Sequence, residues 1–82
     1  MTTQEVEKRL TEVFRDVLDR DSIVLFRETT AADIEEWDSL AHISLLVSIE
    51  KEFTIKLNLI EVESLQNVGD MFDLIQKKIS EL

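Results

Sequence analysis

Asp38-Ser39-Leu40-Ala41-His42-Ile43-Ser44-Leu45-Leu46-Val47-Ser48-Ile49-Glu50-Lys51-Glu52-Phe53 is the stretch on which the reading of this chain turns. Asp38 is a strong N-cap type: its carboxylate accepts hydrogen bonds from the unpaired N–H groups of a first helical turn, and its charge suits the positive end of the helix dipole. Ser39 then takes the first helical position with its hydroxyl pointing outward. At about 100° per residue, His42, Leu45, Leu46, Ile49 and Phe53 share one side of the helix, while Leu40, Ile43 and Val47 form a second stripe roughly opposite. The first stripe is expected in the core. The second is expected to stay accessible, because a helix in so small a protein is seldom buried all round, and it becomes a candidate docking face with Glu50 beside it.

Outward from this helix the same period recurs twice. Val6, Leu10, Val13, Phe14 and Val17 predict a helix over about Thr3 to Leu18, with Thr2 and Glu5 spaced for a capping box. Val68, Met71, Phe72, Ile75 and Ile79 predict a last helix over about Val68 to Ser80, with Asn67 and Asp70 as cap candidates and Lys77 and Lys78 favourable to its dipole. The long connection before Ser39 shows no period, and Ile23, Leu25, Phe26, Ile34 and Trp37 are expected to pin it to the core. Within it, Thr30-Ala31-Ala32-Asp33 suits a short capped turn. Phe53, Ile55, Leu57 and Leu59 alternate, but no second strand is available, so an extended connector into a short helix near Ile60 to Ser64 is expected. With no Pro and one Gly, the fold class is all-α: a four-helix bundle with three longer helices, one short helix and a long loop between the first two.

The 82 residues read as one domain, 1–82, without cysteine and hence without disulfide, thiolate nucleophile or cysteine metal site. No basic leader or membrane-length apolar run is present, which points to a cytoplasmic protein without membrane insertion. Eighteen acidic against nine basic residues give a formal charge of −9. Residues Glu28 to Glu50 hold six acids, and Leu57 to Gln76 hold four, with no Lys or Arg in either run. Such a surface repels phosphate backbones, which argues against nucleic acid and for partners with basic patches. It also favours a soluble monomer.

Ser39 as a catalytic nucleophile needs a base, an orienting group and an oxyanion hole. His42 lies three residues on with Asp38 alongside, but it falls on the side of Leu45 and Ile49 and reads as a half-buried packing residue. No catalytic residue is therefore assigned. Asp19-Arg20-Asp21 opens like a calcium loop and fails at once, since the third ligand position is Ile23 and an apolar residue stands at position six, where glycine is required. No metal site is assigned.

Asp38-Ser39-Leu40 in this register resembles the signature of the acyl carrier proteins and their peptidyl-carrier relatives. Glu36 to Ile43, Ile49 to Ile55, and Leu65-Gln66-Asn67-Val68-Gly69-Asp70 are similar to the family's central helix, its exit and the entry to its last helix, so the likeness spans the chain. The resemblance implies a non-enzymatic carrier whose Ser39 receives a covalent 4′-phosphopantetheine arm from coenzyme A, with Asp38 as the helix cap next to the attachment site. It implies partners as well: a phosphopantetheinyl transferase, and acyl ligases, synthases and transferases that dock on Leu40, Ile43, Val47 and Glu50. The pathways implied are fatty-acid, polyketide or specialised lipid and secondary-metabolite biosynthesis. The match departs where many fatty-acid carriers have glycine before the motif, here Glu35-Glu36-Trp37, and acids after it, here Ala41 and Ser44. A peptidyl, aminoacyl or D-alanyl carrier is the near alternative. An unmodified acidic helical adaptor is the alternative from another class.

Overall fold

The computed structural model describes all residues, Met1–Leu82. In chain order, α1 spans Thr3–Val17, a single 3-10 turn covers Ala31–Asp33, α2 spans Ser39–Phe53, α3 spans Leu59–Glu63 and α4 spans Val68–Ser80. There is no strand, and three longer helices with one short one make up the all-α bundle that the periodicity predicts. The Thr2 hydroxyl accepts the Glu5 N–H while Glu5 accepts the Thr2 N–H, closing the capping box that starts α1.

The core is a single cluster. Val6, Leu10, Val13 and Phe14 of α1 meet Leu45, Ile49 and Phe53 of α2 and Val68, Met71 and Ile75 of α4, with Ile23, Ile34 and Trp37 supplied by the long loop. Leu18, just past the end of α1, is buried where Val17 is only partly so. Leu46, Phe72 and Ile79 are also only partly buried, because each sits at the margin of its helix's apolar face.

Phe26 corrects the sequence reading. Its apolar side chain predicts that it pins the loop, yet it is 65% exposed. Its N–H donates to the Thr29 hydroxyl at 3.0 Å and its carbonyl accepts the Thr29 N–H at 3.1 Å, so a tight turn rolls Thr29 inward and Phe26 out. Instead of Phe26, polar contacts to α4 hold this part of the loop. The Thr29 and Arg27 carbonyls accept the Val68 and Gly69 N–H groups, both at 2.9 Å, which satisfies two donors that a helix start leaves unpaired. The Arg27 guanidinium reaches Asp73 through two bonds of 3.1 and 2.8 Å and holds that carboxyl below its ordinary range.

This clamp explains the only glycine. A Cβ on Gly69 would lie 3.1 Å from the Arg27 carbonyl oxygen and 3.1 Å from the Arg27 Cβ. Alanine gains at most about 1 kcal/mol over glycine in a helix, whereas crowding a packed site costs about 1–3. The oxygen it would crowd is the one that the Gly69 N–H binds, so neither group yields without weakening that bond. Gly69→Ala is therefore expected to lose about 1 kcal/mol, read as a lower urea midpoint at unchanged slope. A raised midpoint would show that the loop gives way freely.

Between α2 and α4 the chain is held differently. Thr54 closes α2 in the left-handed region, at φ 55°, and the Ile55 N–H returns to the Glu50 carbonyl. The alternation stops short of Leu59, because Leu59 is already the first residue of α3: Asn58 and Glu61 form a capping box that starts this helix one residue earlier than the pattern predicts. No residue of α3 is buried, and Leu59 and Ile60 face solvent. One tie to the bundle is the Glu61 carboxylate, 2.9 Å from the Lys78 ammonium of α4, and Val62 is half-buried.

Lys78 first, then the Asn58 backbone N–H, holds the Glu61 carboxyl below its usual range. A depressed folded value means that the contact stabilises the fold above the unfolded value of about 4.3 and is lost as pH falls through the lower folded one. Lys78→Met keeps the stem and removes the charge. It is expected to raise the Glu61 midpoint toward its ordinary value, followed by the carboxyl-carbon shift in a pH titration. An unmoved midpoint would assign the effect to the capping box alone.

Candidate functional site

Ser39 opens α2 because the residue before it takes over the cap. Asp38 is extended, and its Oδ1 accepts the Ala41 N–H at 2.8 Å while its carbonyl accepts the His42 N–H at 2.8 Å. The Ser39 side chain takes no part in this cap and is exposed. The Ser39 and Leu40 N–H groups find no acceptor within the chain, which leaves two donors at the positive end of the helix. The approach uses no left-handed residue, since Asp19 and Thr54 hold the only positive φ values. Two turns replace a glycine: Trp37 N–H to the Ile34 carbonyl at 3.1 Å, and Asp38 N–H to the Glu36 carbonyl at 3.1 Å.

Trp37 sits under this approach. Its indole meets Phe14 edge-on, with centroids 5.0 Å apart and planes at 86°. On its other side its Nε1–H donates to His42 Nδ1 at 3.1 Å, with the two ring planes only 23° apart. The hydrogen bond and the small angle between the planes fix the imidazole beside the indole, with ring centroids 6.0 Å apart. His42 is thus the half-buried packing residue that the periodicity implies. Its Nδ1 is committed to Trp37 and the Asp38 carboxylate to Ala41, so Ser39, His42 and Asp38 do not form a relay.

Along α2, Leu40, Ile43 and Val47 are 78%, 60% and 44% exposed, while Leu45, Ile49 and Phe53 are buried. Glu50 is half-buried, and its Oε2 accepts the Leu57 N–H at 2.9 Å, tying the connector back to α2. Of the acids before Ser39, Glu36 pairs with Arg20 at 3.1 Å, and its carboxyl is held low first by its own backbone N–H and then by that guanidinium. Asp19, the head of the failed calcium pattern, is the left-handed residue after α1, where the Arg20 N–H reaches the Arg15 carbonyl.

No family model matches the chain. Curated acyl carrier proteins do: that of Porphyromonas gingivalis is 29% identical over 75 residues, covering 92% of this chain and 96% of the relative. That of Thermosynechococcus vestitus is 28% identical over 80 residues, covering 98% and 99%. The solution NMR structure of holo acyl carrier protein from Geobacter metallireducens is 51% identical, covers 93% of this chain and 87% of that one, and superposes with a TM-score of 0.88. The chain belongs to the acyl carrier protein family. As an acyl carrier protein it is a carrier and not an enzyme. No helix of this carrier is long and apolar enough to cross a membrane.

Two features of the carrier's site were not foreseen from its sequence. The Trp37–His42 bond had a signal, an aromatic pair straddling a helix start, but nothing local shows that the two rings bond. The Glu50 contact had none, because Leu57 returns to α2 only through the left-handed turn at Thr54.

Proposed function

We propose that Ser39 is the attachment point of a 4′-phosphopantetheine arm from coenzyme A. The chain, as a single carrier domain over residues 1–82, delivers acyl groups to enzymes of fatty-acid, polyketide or specialised lipid biosynthesis. One observation carries the reading: in a chain of this family, an exposed serine hydroxyl stands at a helix start whose cap is supplied by its neighbour. When bound, the arm supplies a thiol that holds acyl groups as thioesters, which are far more activated for transfer than an ester of serine.

The residues present suit such a group. The unpaired Ser39 and Leu40 N–H groups offer donors to a phosphodiester at the end of the helix where the dipole favours an anion. Asp38 holds the first turn without engaging Ser39 Oγ, so the hydroxyl stays open to a transferase. Leu40, Ile43 and Val47 provide an apolar strip for partner enzymes. The net charge of −9 draws basic surfaces toward it, an attraction that weakens as salt rises. Glu50 contributes to that field while its oxygen stays on Leu57.

The test is the intact mass of the chain after incubation with coenzyme A and a broad-specificity phosphopantetheinyl transferase. A gain of one phosphopantetheine is expected. No gain with several active transferases would leave an acidic helical adaptor as the better reading.

A further inference from the structure

Beside Ser39 lies a surface depression of about 430 Å³, bounded by Ala31, Trp37, Asp38, Ser39 and His42. We propose that it is a resting site for the first part of the arm, the segment with two geminal methyl groups next to the phosphate, which lies against the hydrogen-bonded Trp37–His42 pair. The inference rests on the reading of Ser39 as the attachment point.

Three observations lead to this occupant. Ser39 is itself part of the wall, so whatever is attached to it begins at the depression. His42 is three residues on along the same helix, where side chains start about 5–6 Å apart, and the geminal methyls lie only a few bonds beyond the phosphate. The floor is also ordered in advance: Phe14 holds Trp37 edge-on, and the Trp37 N–H fixes the imidazole through Nδ1, so little side-chain freedom is lost when a ligand settles there. Methyl groups suit the partly exposed imidazole and the little of the indole that remains open beside it, while the polar atoms of the arm stay at the open mouth in water.

The side of the helix matters. Leu40, at 78% exposure, points into solvent with Ile43 and Val47 following it. An arm folded onto Trp37 and His42 leaves that strip bare for a partner enzyme, whereas one lying along Leu40 covers it.

The experiment uses the modified chain, labelled with carbon-13 and nitrogen-15 and bearing an unlabelled arm, with its mass confirmed first. Isotope-filtered NOE spectra are expected to connect the arm's methyl protons to ring protons of His42 and Trp37. On modification, the Trp37 indole N–H and the Ala31 amide are expected to shift at least as far as the Leu40 amide. In Ala31→Trp, made at an exposed position and purified in modified form, the filled depression should reduce the contacts to His42 and Trp37 to background. If the mass gain is complete but the methyls contact only Leu40, Ile43 or no residue, the resting site is wrong and the carrier reading stands. If Ala31→Trp keeps the same contacts, the site is wrong likewise. Absence of any mass gain overturns both readings.

Discussion

Ser39→Ala keeps its helix content and gains no mass from coenzyme A and transferase under conditions that modify the parent chain completely. The expected loss is total, since the variant lacks the oxygen to be modified and no cysteine offers a substitute. The fold is expected to survive because the cap belongs to Asp38, whose Oδ1 holds the Ala41 N–H at 2.8 Å, and alanine at the first helical position is a good helix former. The stability change should stay within about 0.5 kcal/mol, as for an ordinary surface substitution. Asp38→Ala makes the control in the opposite sense. It keeps the hydroxyl and loses the cap, at a cost of about 1 kcal/mol. Equal modification of Ser39→Ala and the parent would move the site elsewhere and end the present assignment.

The second large effect separates the two stripes of α2. Ile49 and Phe53 are buried against α1 and the loop, so truncation to alanine removes apolar contact and leaves a cavity, costing about 2–5 kcal/mol. For a small domain whose whole stability is about 5–15 kcal/mol, that is a large share. Ile43→Ala and Val47→Ala, at 60% and 44% exposure, should cost about 1 kcal/mol or less and remain folded. Those two are expected instead to slow modification or loading by partner enzymes. Urea midpoints and loading rates on the same four variants decide the matter. If Ile43→Ala unfolds as readily as Ile49→Ala, the second stripe is packing and not a docking surface.

These two predictions draw on the part of the molecule that was legible in the sequence. Stripes, caps and the boundaries of α1, α2 and α4 depend on residues three or four apart, and that spacing is set by helix geometry alone. Ser39 was legible for the same reason, through Asp38 before it and the apolar period after it. Phe26 was not. Its side chain is apolar enough for the core, and only the turn with Thr29 and the clamp of Arg27 on α4 decide that it faces out. The start of α3 was local but misread, because the alternation from Phe53 to Leu57 ran into the Asn58–Glu61 box without a break. The pairings of Glu50 with Leu57 and of Glu61 with Lys78 depend on where separate segments meet, which no periodicity reports.

Helix α3 has no buried residue, and its capping box and one ion pair are polar. Apolar burial holds the other three helices, and its strength scarcely depends on ionic conditions. Five residues are far too few to remain helical unaided. This segment is therefore expected to have its own melting balance, opening and reclosing while α1, α2 and α4 stay assembled, and faster amide exchange in Leu59–Glu63 than in the other helices would show it. Acid or added salt, which weaken charge contacts and spare the core, are expected to act on it first, so the ionic surroundings would set how much of the time the molecule has four helices and how much three.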